Sequence, residues 1–202
     1  PERIEELSDM QFLHLIQEPL RARVQSGPIC DLEVGVPPKR TILLVLTDNF
    51  QAQARGHRLG LHFGLPTICA MEYKEGRGAE VTYTVPGVTS ACHRCITASR
   101  YHAYLEKGYT NTVTSAGAPV FAAELLNAVL GHITLALAHH GTGNRRWGRL
   151  VDRLGNRNLV LLGLDPDFED HFGNAFAKRL RGAKEADAFF ILNSMFLPQT
   201  PD

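Results

Sequence analysis

The stretch "TILLVLTDNFQAQARGHRLGLHFGLPTICAM", residues 41–71, changes its hydrophobic rhythm twice. "TILLVL" at 41–46 is an unbroken β-branched and leucine run, the pattern of a strand covered on both faces. "TDNF" is a turn, "QAQARGHRLGLHFG" reads as a helix ending near Gly64, and "LPTICAM" is a second short apolar strand. A strand, a helix and a strand with short connections predict two parallel strands joined by a right-handed crossover.

Outward from this unit, "AEVTYTVPG" alternates small or apolar with polar residues and predicts a half-exposed strand. Residues 86 to about 118 carry Pro, Gly, Thr and Ser with little period, which predicts a long loop. Pro119 stands where a helix accepts it, and the apolar run "VFAAELLNAVLGHITLALA" at 120–138 leads to His139 and His140 before Gly141 closes it. Glu124, Asn127 and His132 break that run, so it reads as a buried core helix and not as a membrane span. "NLVLLGLD" and "DAFFILN" are late strands. At the other end, Ile4, Leu7, Leu13, Ile16 and Leu20 recur at helical spacing over residues 3 to about 25, with Pro19 liable to kink the pattern. The expected organisation is an N-terminal helical segment and linker, 1–40, followed by an α/β unit, 41–202, with a partly parallel, Rossmann-like sheet flanked by helices.

Composition narrows the function classes. The chain has 202 residues, 44% hydrophobic and 21% charged, which is ordinary for a globular protein with one sizeable core. Lysine plus arginine equals aspartate plus glutamate at 21 each, so no overall field collects nucleic acid or anionic membrane, and neither is an expected partner. Four cysteines without a charged-then-apolar leader predict a cytoplasmic protein. The chain begins at Pro1 without a methionine, so a processed start or a longer parent is expected.

The chemistry-bearing residues are few. Asp48 and Asn49 follow the first strand, where either is also common as a helix cap or in an Asx turn. Arg55 lies on the helix after them. Cys92 and Cys95, in "VPGVTSACHRCITASR" at 85–100, form a C-x-x-C pair, which can hold half of a zinc site, carry thiol–disulfide chemistry, or do neither. A redox role is the least expected, because a thioredoxin-type pair opens a helix and this one reads as lying between a strand and a loop. Cys30 and Cys69 read as small core residues. His57 and His62, five apart on one helix, do not share a ligand face. Arg145, Arg146, Arg149, Arg153 and Arg157 can grip an acidic partner, but five arginines near one tryptophan read first as a solvated surface that Trp147 anchors.

Taken in order, "VLTDNFQAQARGHRLGLHFGLPTICAMEYKEGRGAEVTYTVPGVTSACHRC" resembles the second half of the adenylation domain of the ThiF/MoeB/HesA family, relatives of the ubiquitin-activating enzymes. Family members read like "DATDN…R…C…G.P…G…G.V…C.RC", and the likeness runs from about 41 to 140, more weakly to about 165. The resemblance implies adenylation of the C-terminal carboxylate of a ubiquitin-like or sulfur-carrier protein with ATP and magnesium, in a homodimer. Asp48 matches the family aspartate that holds magnesium and nucleotide, Asn49 and Arg55 match its "DN…R", and Cys92 and Cys95 match half of a four-cysteine zinc site.

The departures matter equally. Ahead of Asp48 there is no glycine-rich phosphate loop, and "GTGNRRWG" at 141–148 follows a helix instead of a strand. The crossing loop reads "NTVTSAG" where the family resembles "N-C-R-T-A-G", so Thr112 or Val113 stands in place of a catalytic cysteine. No cysteine follows Cys95, so zinc would need His93, His139, His140, His171, Cys69 or a second subunit. The expectation is the magnesium-side portion of an adenylyltransferase; the rival reading is a noncatalytic module that kept the fold for partner binding or dimerisation.

Overall fold

The structure, a computed structural model, describes residues 6–22, 41–108, 117–163, 189–191, 194–197 and 199–201. Helix α1, Asp9–Ala22, opens on a reciprocal cap in which the Ser8 backbone N–H donates to Gln11 Oε1 and the Gln11 N–H donates to Ser8 Oγ. Strand β1, Leu43–Leu46, helix α2, Phe50–His62, and strand β2, Thr67–Glu72, follow as the sequence predicts, and β1 and β2 pair in parallel. Gly56 and Gly60 let α2 lie close on this pair. A Cβ at Gly56 would stand 2.6 Å from Val45 Cγ2, and one at Gly60 would overlap the Thr67 hydroxyl.

Strand β3, Gly78–Thr84, runs antiparallel to β2, and β4, Leu159–Gly163, antiparallel to β3. With strands β5, Phe189–Ile191, and β6, Ser194–Leu197, the described residues form a six-stranded sheet in the order β1-β2-β3-β4-β6-β5. The α/β class and the partly parallel sheet hold. "DAFFILN" gave β5, and β6 has no counterpart in the sequence reading.

Helices cover both faces. Helix α5, Val120–His139, and helix α6, Leu150–Leu154, close over Ile68, Ala70, Val81, Tyr83, Val160 and Leu162, the main core. On the other face lie α2, the single turn α3, His93–Ile96, and α4, Ala98–Lys107. A smaller cluster of Ala91, Ile96, Leu159 and Leu161 sits there with Cys95 packed against it.

Three expectations are corrected. Residues 93–107 are helical where a long loop was expected, because "RYHAYLEK" is amphipathic and its aromatic residues pack on α2. β3 is buried at every residue instead of half exposed, because α3 and α4 cover its polar face. Among the described residues β1 is an edge strand, and its Val45 is covered by α2 while Leu44 and Leu46 are 46% and 53% exposed, so those residues do not cover it on both faces. Helix α5 also differs from a wholly buried core helix: Ala122, Val129, Leu130, Ile133, Ala136 and Leu137 are buried, while Val120 and Phe121 stand out at 76% and 70%. By length and composition α5 is the one helix among the described residues that is apolar enough to cross a membrane.

Candidate functional site

The turn after β1 positions the first group of predicted site residues. Asn49 is the N-cap of α2: its Oδ1 accepts from the Ala52 backbone N–H at 3.1 Å, and its own N–H donates to Thr47 Oγ1 at 3.1 Å. Gln53 closes the turn by donating to the Thr47 carbonyl. Asp48 is therefore not the cap. It lies exposed between Thr47 and Asn49, just past the carboxyl end of β1.

Arg55, nearly two helical turns on, does not face solvent as a lone surface arginine. Its Nη2 donates to the Leu7 carbonyl at 2.8 Å and pairs with the Asp9 carboxylate, tying α1 onto α2. Phe12 and Phe63 stack beside this tie with centroids 5.7 Å apart.

Between α2 and α4 runs a groove of about 620 Å³. Phe50, Tyr101 and Tyr104 form its aromatic wall, Phe50 meeting Tyr101 edge-on at 4.9 Å between centroids. Arg55, Arg58 and Arg94 carry its positive charge, and Arg94 lies over the Tyr101 ring at 5.4 Å. His57 and Cys92 reach its wall as well. The structure thus brings Arg55 and Cys92 to one groove, while Asp48, Asn49 and Cys95 are not among the groove's lining residues.

Beneath the groove is a polar layer that the sequence reading did not find. His57 and His93 are buried with ring centroids 5.5 Å apart. His93 Nδ1 is hydrogen-bonded to Thr82 Oγ1 at 2.7 Å, its backbone N–H donates to Thr84 Oγ1, and Thr97 Oγ1 donates to the His93 carbonyl at 2.7 Å. His57 Nε2 has no hydrogen-bond partner among the described residues. Burial, reinforced by the Arg94 guanidinium, lowers the His57 pKa to about 4, and burial with His57 nearby lowers that of His93 to about 3. Both rings are neutral at pH 7. The only sequence-level hint was the alternation of Glu80, Thr82 and Thr84 along β3, which reads equally as a solvated face.

Cys92 is the N-cap residue of α3 and Cys95 lies within that turn, their Sγ atoms 3.6 Å apart. Burial raises the Cys92 thiol pKa, and burial pushes that of Cys69 up to about 12. The donor set does not fit a four-ligand zinc among the described residues. No third His, Cys, Asp or Glu joins the pair; His93 is committed to Thr82, and His140 pairs with Asp152 at 3.0 Å. His171, Thr112, Val113 and Cys30 lie outside the described residues. For magnesium, one exposed strand-end carboxylate at Asp48 fits an ion whose other ligands are phosphates and water, and nothing beside it forms a phosphate cradle among the described residues.

Trp147 is half-buried, with the His132 ring edge-on to it at 5.4 Å and Arg146 over it at 5.1 Å, so it anchors the arginine-rich surface as the sequence implies.

No protein-family model matches the chain, and no curated protein matches it. Among solved structures, the crystal structure of E. coli MccB with succinimide is similar at 21% identity and a TM-score of 0.31, over 44% of this chain and 27% of that one. The α/β class assigned to the chain rests on its strand pairing and two helical layers, not on this likeness.

Proposed function

We propose that this chain is the magnesium-side and protein-partner portion of a ThiF-like adenylyltransferase, which activates the C-terminal carboxylate of a ubiquitin-like or sulfur-carrier protein with ATP and works as a homodimer. The observation that carries this reading is the place of Asp48. It is an exposed carboxylate at the carboxyl end of a strand in a parallel pair, where an open α/β sheet receives its ligands, and it stands at the aspartate position of the "TDN…R" resemblance. The edge position of β1, with Leu44 and Leu46 exposed and no further strand on it among the described residues, supports a sheet that continues onto a nucleotide-binding half. Val120 and Phe121, exposed on an apolar helix, support a second copy as partner.

Asp48 would hold magnesium there, and the ion would supply positive charge to offset the charge that develops during transfer to a carboxylate. The chain's own contribution is to hold Asp48 in a turn fixed on both sides by Thr47, Asn49 and Gln53. Without a phosphate cradle this contribution supplies little affinity. Titration of the chain with ATP and magnesium by calorimetry is expected to show no binding in the micromolar range; micromolar affinity overturns the assignment of the cradle to another segment.

A second reading, a noncatalytic module that binds a partner or dimerises, is favoured by one observation. Asn49 is already occupied in capping α2 and Arg55 in holding α1, so two of the three nucleotide-side residues have structural work.

A further inference from the structure

Cys92 and Cys95 occupy one helical turn at the start of α3, so the setting that made thiol–disulfide chemistry the least expected of three readings is not the one the fold provides. Both thiols are reduced and partly accessible, with Sγ atoms 3.6 Å apart. A disulfide requires an S–S distance of about 2.05 Å, so closure needs a movement of roughly 1.5 Å, within reach of side-chain rotation. The two cysteines are not equivalent. Cys92 stands in the wall of the α2–α4 groove, whereas Cys95 packs against Ile96, Leu159 and Leu161.

We propose that Cys92 and Cys95 form a reversible dithiol–disulfide site, oxidised by a small anionic disulfide such as glutathione disulfide that enters the α2–α4 groove. This site stands independently of the adenylation reading. Charge complementarity favours that co-substrate. Arg55, Arg58 and Arg94 line the groove, Asp9 offsets part of the charge of the first two, and Arg94, beside Cys92 in the chain, remains to meet a carboxylate.

The exchange balances in two displacements. Cys92 attacks one sulfur of glutathione disulfide through its thiolate, a minor form at neutral pH because burial raises the thiol pKa, forming a mixed disulfide and releasing one glutathione thiolate. The Cys95 thiolate then attacks Cys92 Sγ, forming the intramolecular disulfide and releasing the second glutathione. The two protons lost by the cysteines end on the two released thiols, and the two electrons given up by the protein reduce the added disulfide.

Tryptic mapping tests this directly, because cleavage after Arg94 separates the two cysteines into fragments 78–94 and 95–100. The native, reduced chain is incubated with glutathione disulfide, quenched in acid, alkylated and digested. The expected product is one mass that joins the two fragments, lighter by two hydrogens, and returned to two fragments by dithiothreitol. Buried Cys69 stays unmodified, which reports that the fold is intact. In Cys95→Ser the expected product is a lasting mixed disulfide on Cys92, and in Cys92→Ser adduct formation on Cys95 is at least about tenfold slower. A pair that stays reduced, a Cys92 bridge to Cys30, or one zinc per chain that blocks oxidation overturns the site. Equal adduct rates in the two variants overturn the entry through the groove.

Discussion

Arg100 on α4 forms a two-pronged ion pair with Glu80 in the middle of β3, Nη1 to Oε1 and Nη2 to Oε2, the latter at 2.7 Å. Tyr73 donates a further hydrogen bond to Glu80 Oε2 at 2.8 Å. Burial by itself raises a carboxyl pKa, but the hydrogen bonds and charge of Arg100 outweigh it here and hold Glu80 below the usual carboxylate range. The pair ties α4 to the polar face of the sheet, beside the packing of Tyr101 and Tyr104 on α2.

Arg100→Met strands a carboxylate that is 4% exposed and is expected to cost about 3–5 kcal/mol in urea unfolding. Adding Glu80→Gln to the same chain should recover a good part of that loss, since both charges are then gone. A single-variant loss below about 1 kcal/mol would show that α4 is held by other contacts.

Acid should destabilise the protein through His57 and His93. Well above pH 6.5, the unfolded value, both are neutral folded or unfolded and contribute no pH dependence. Below it the unfolded chain takes up two protons that the folded chain refuses until about pH 4 and about pH 3, so stability falls as pH falls. The expected loss between pH 7 and pH 5 is about 2–4 kcal/mol, read from urea midpoints. Glu80, whose folded pKa is lowered, adds its own loss as pH falls through the ordinary carboxylate value and below it, so its effect lies mainly under the pH 7 to pH 5 window. A flat profile from pH 7 to pH 5 would contradict the burial of the two rings.

The parallel unit was legible in the sequence because its signals are local. "TILLVL" and "LPTICAM" are too short and too β-branched for helices, and Asn49 and Gly64 bracket the helix between them. What covers an element was not legible. Glu80, Thr82 and Thr84 alternate as a solvated face would, and only the tertiary placement of Arg100 and His93 turns them inward. The helical turns at 93–107 follow Pro86, Gly87 and Thr89, turn residues that masked the period beginning at His93. Asp48 is singled out by its pattern alone, whereas the His57–His93 pair joins α2 to a residue 36 positions later, a distance over which periodicity carries no information.

Helix α5 should respond differently on its two sides. Ile133→Ala, at 2% exposure in the main core, is expected to cost about 2–5 kcal/mol. Phe121→Ser should shift sedimentation toward the monomer, as a residue of a dimer face would, while leaving unfolding within about 0.5 kcal/mol when both chains are dilute enough to be monomeric. A monomeric wild-type chain at high concentration contradicts the homodimer.

The proposed role of Asp48 is tested most directly by ATP–pyrophosphate exchange, measured in the protein that carries both this chain and the nucleotide-binding half, with its ubiquitin-like partner present. The account predicts exchange in the wild type and its loss in Asp48→Ala, with the unfolding midpoint unchanged because an exposed strand-end carboxylate contributes little to the core. Exchange retained in the folded variant, or absent from the wild type, would contradict it.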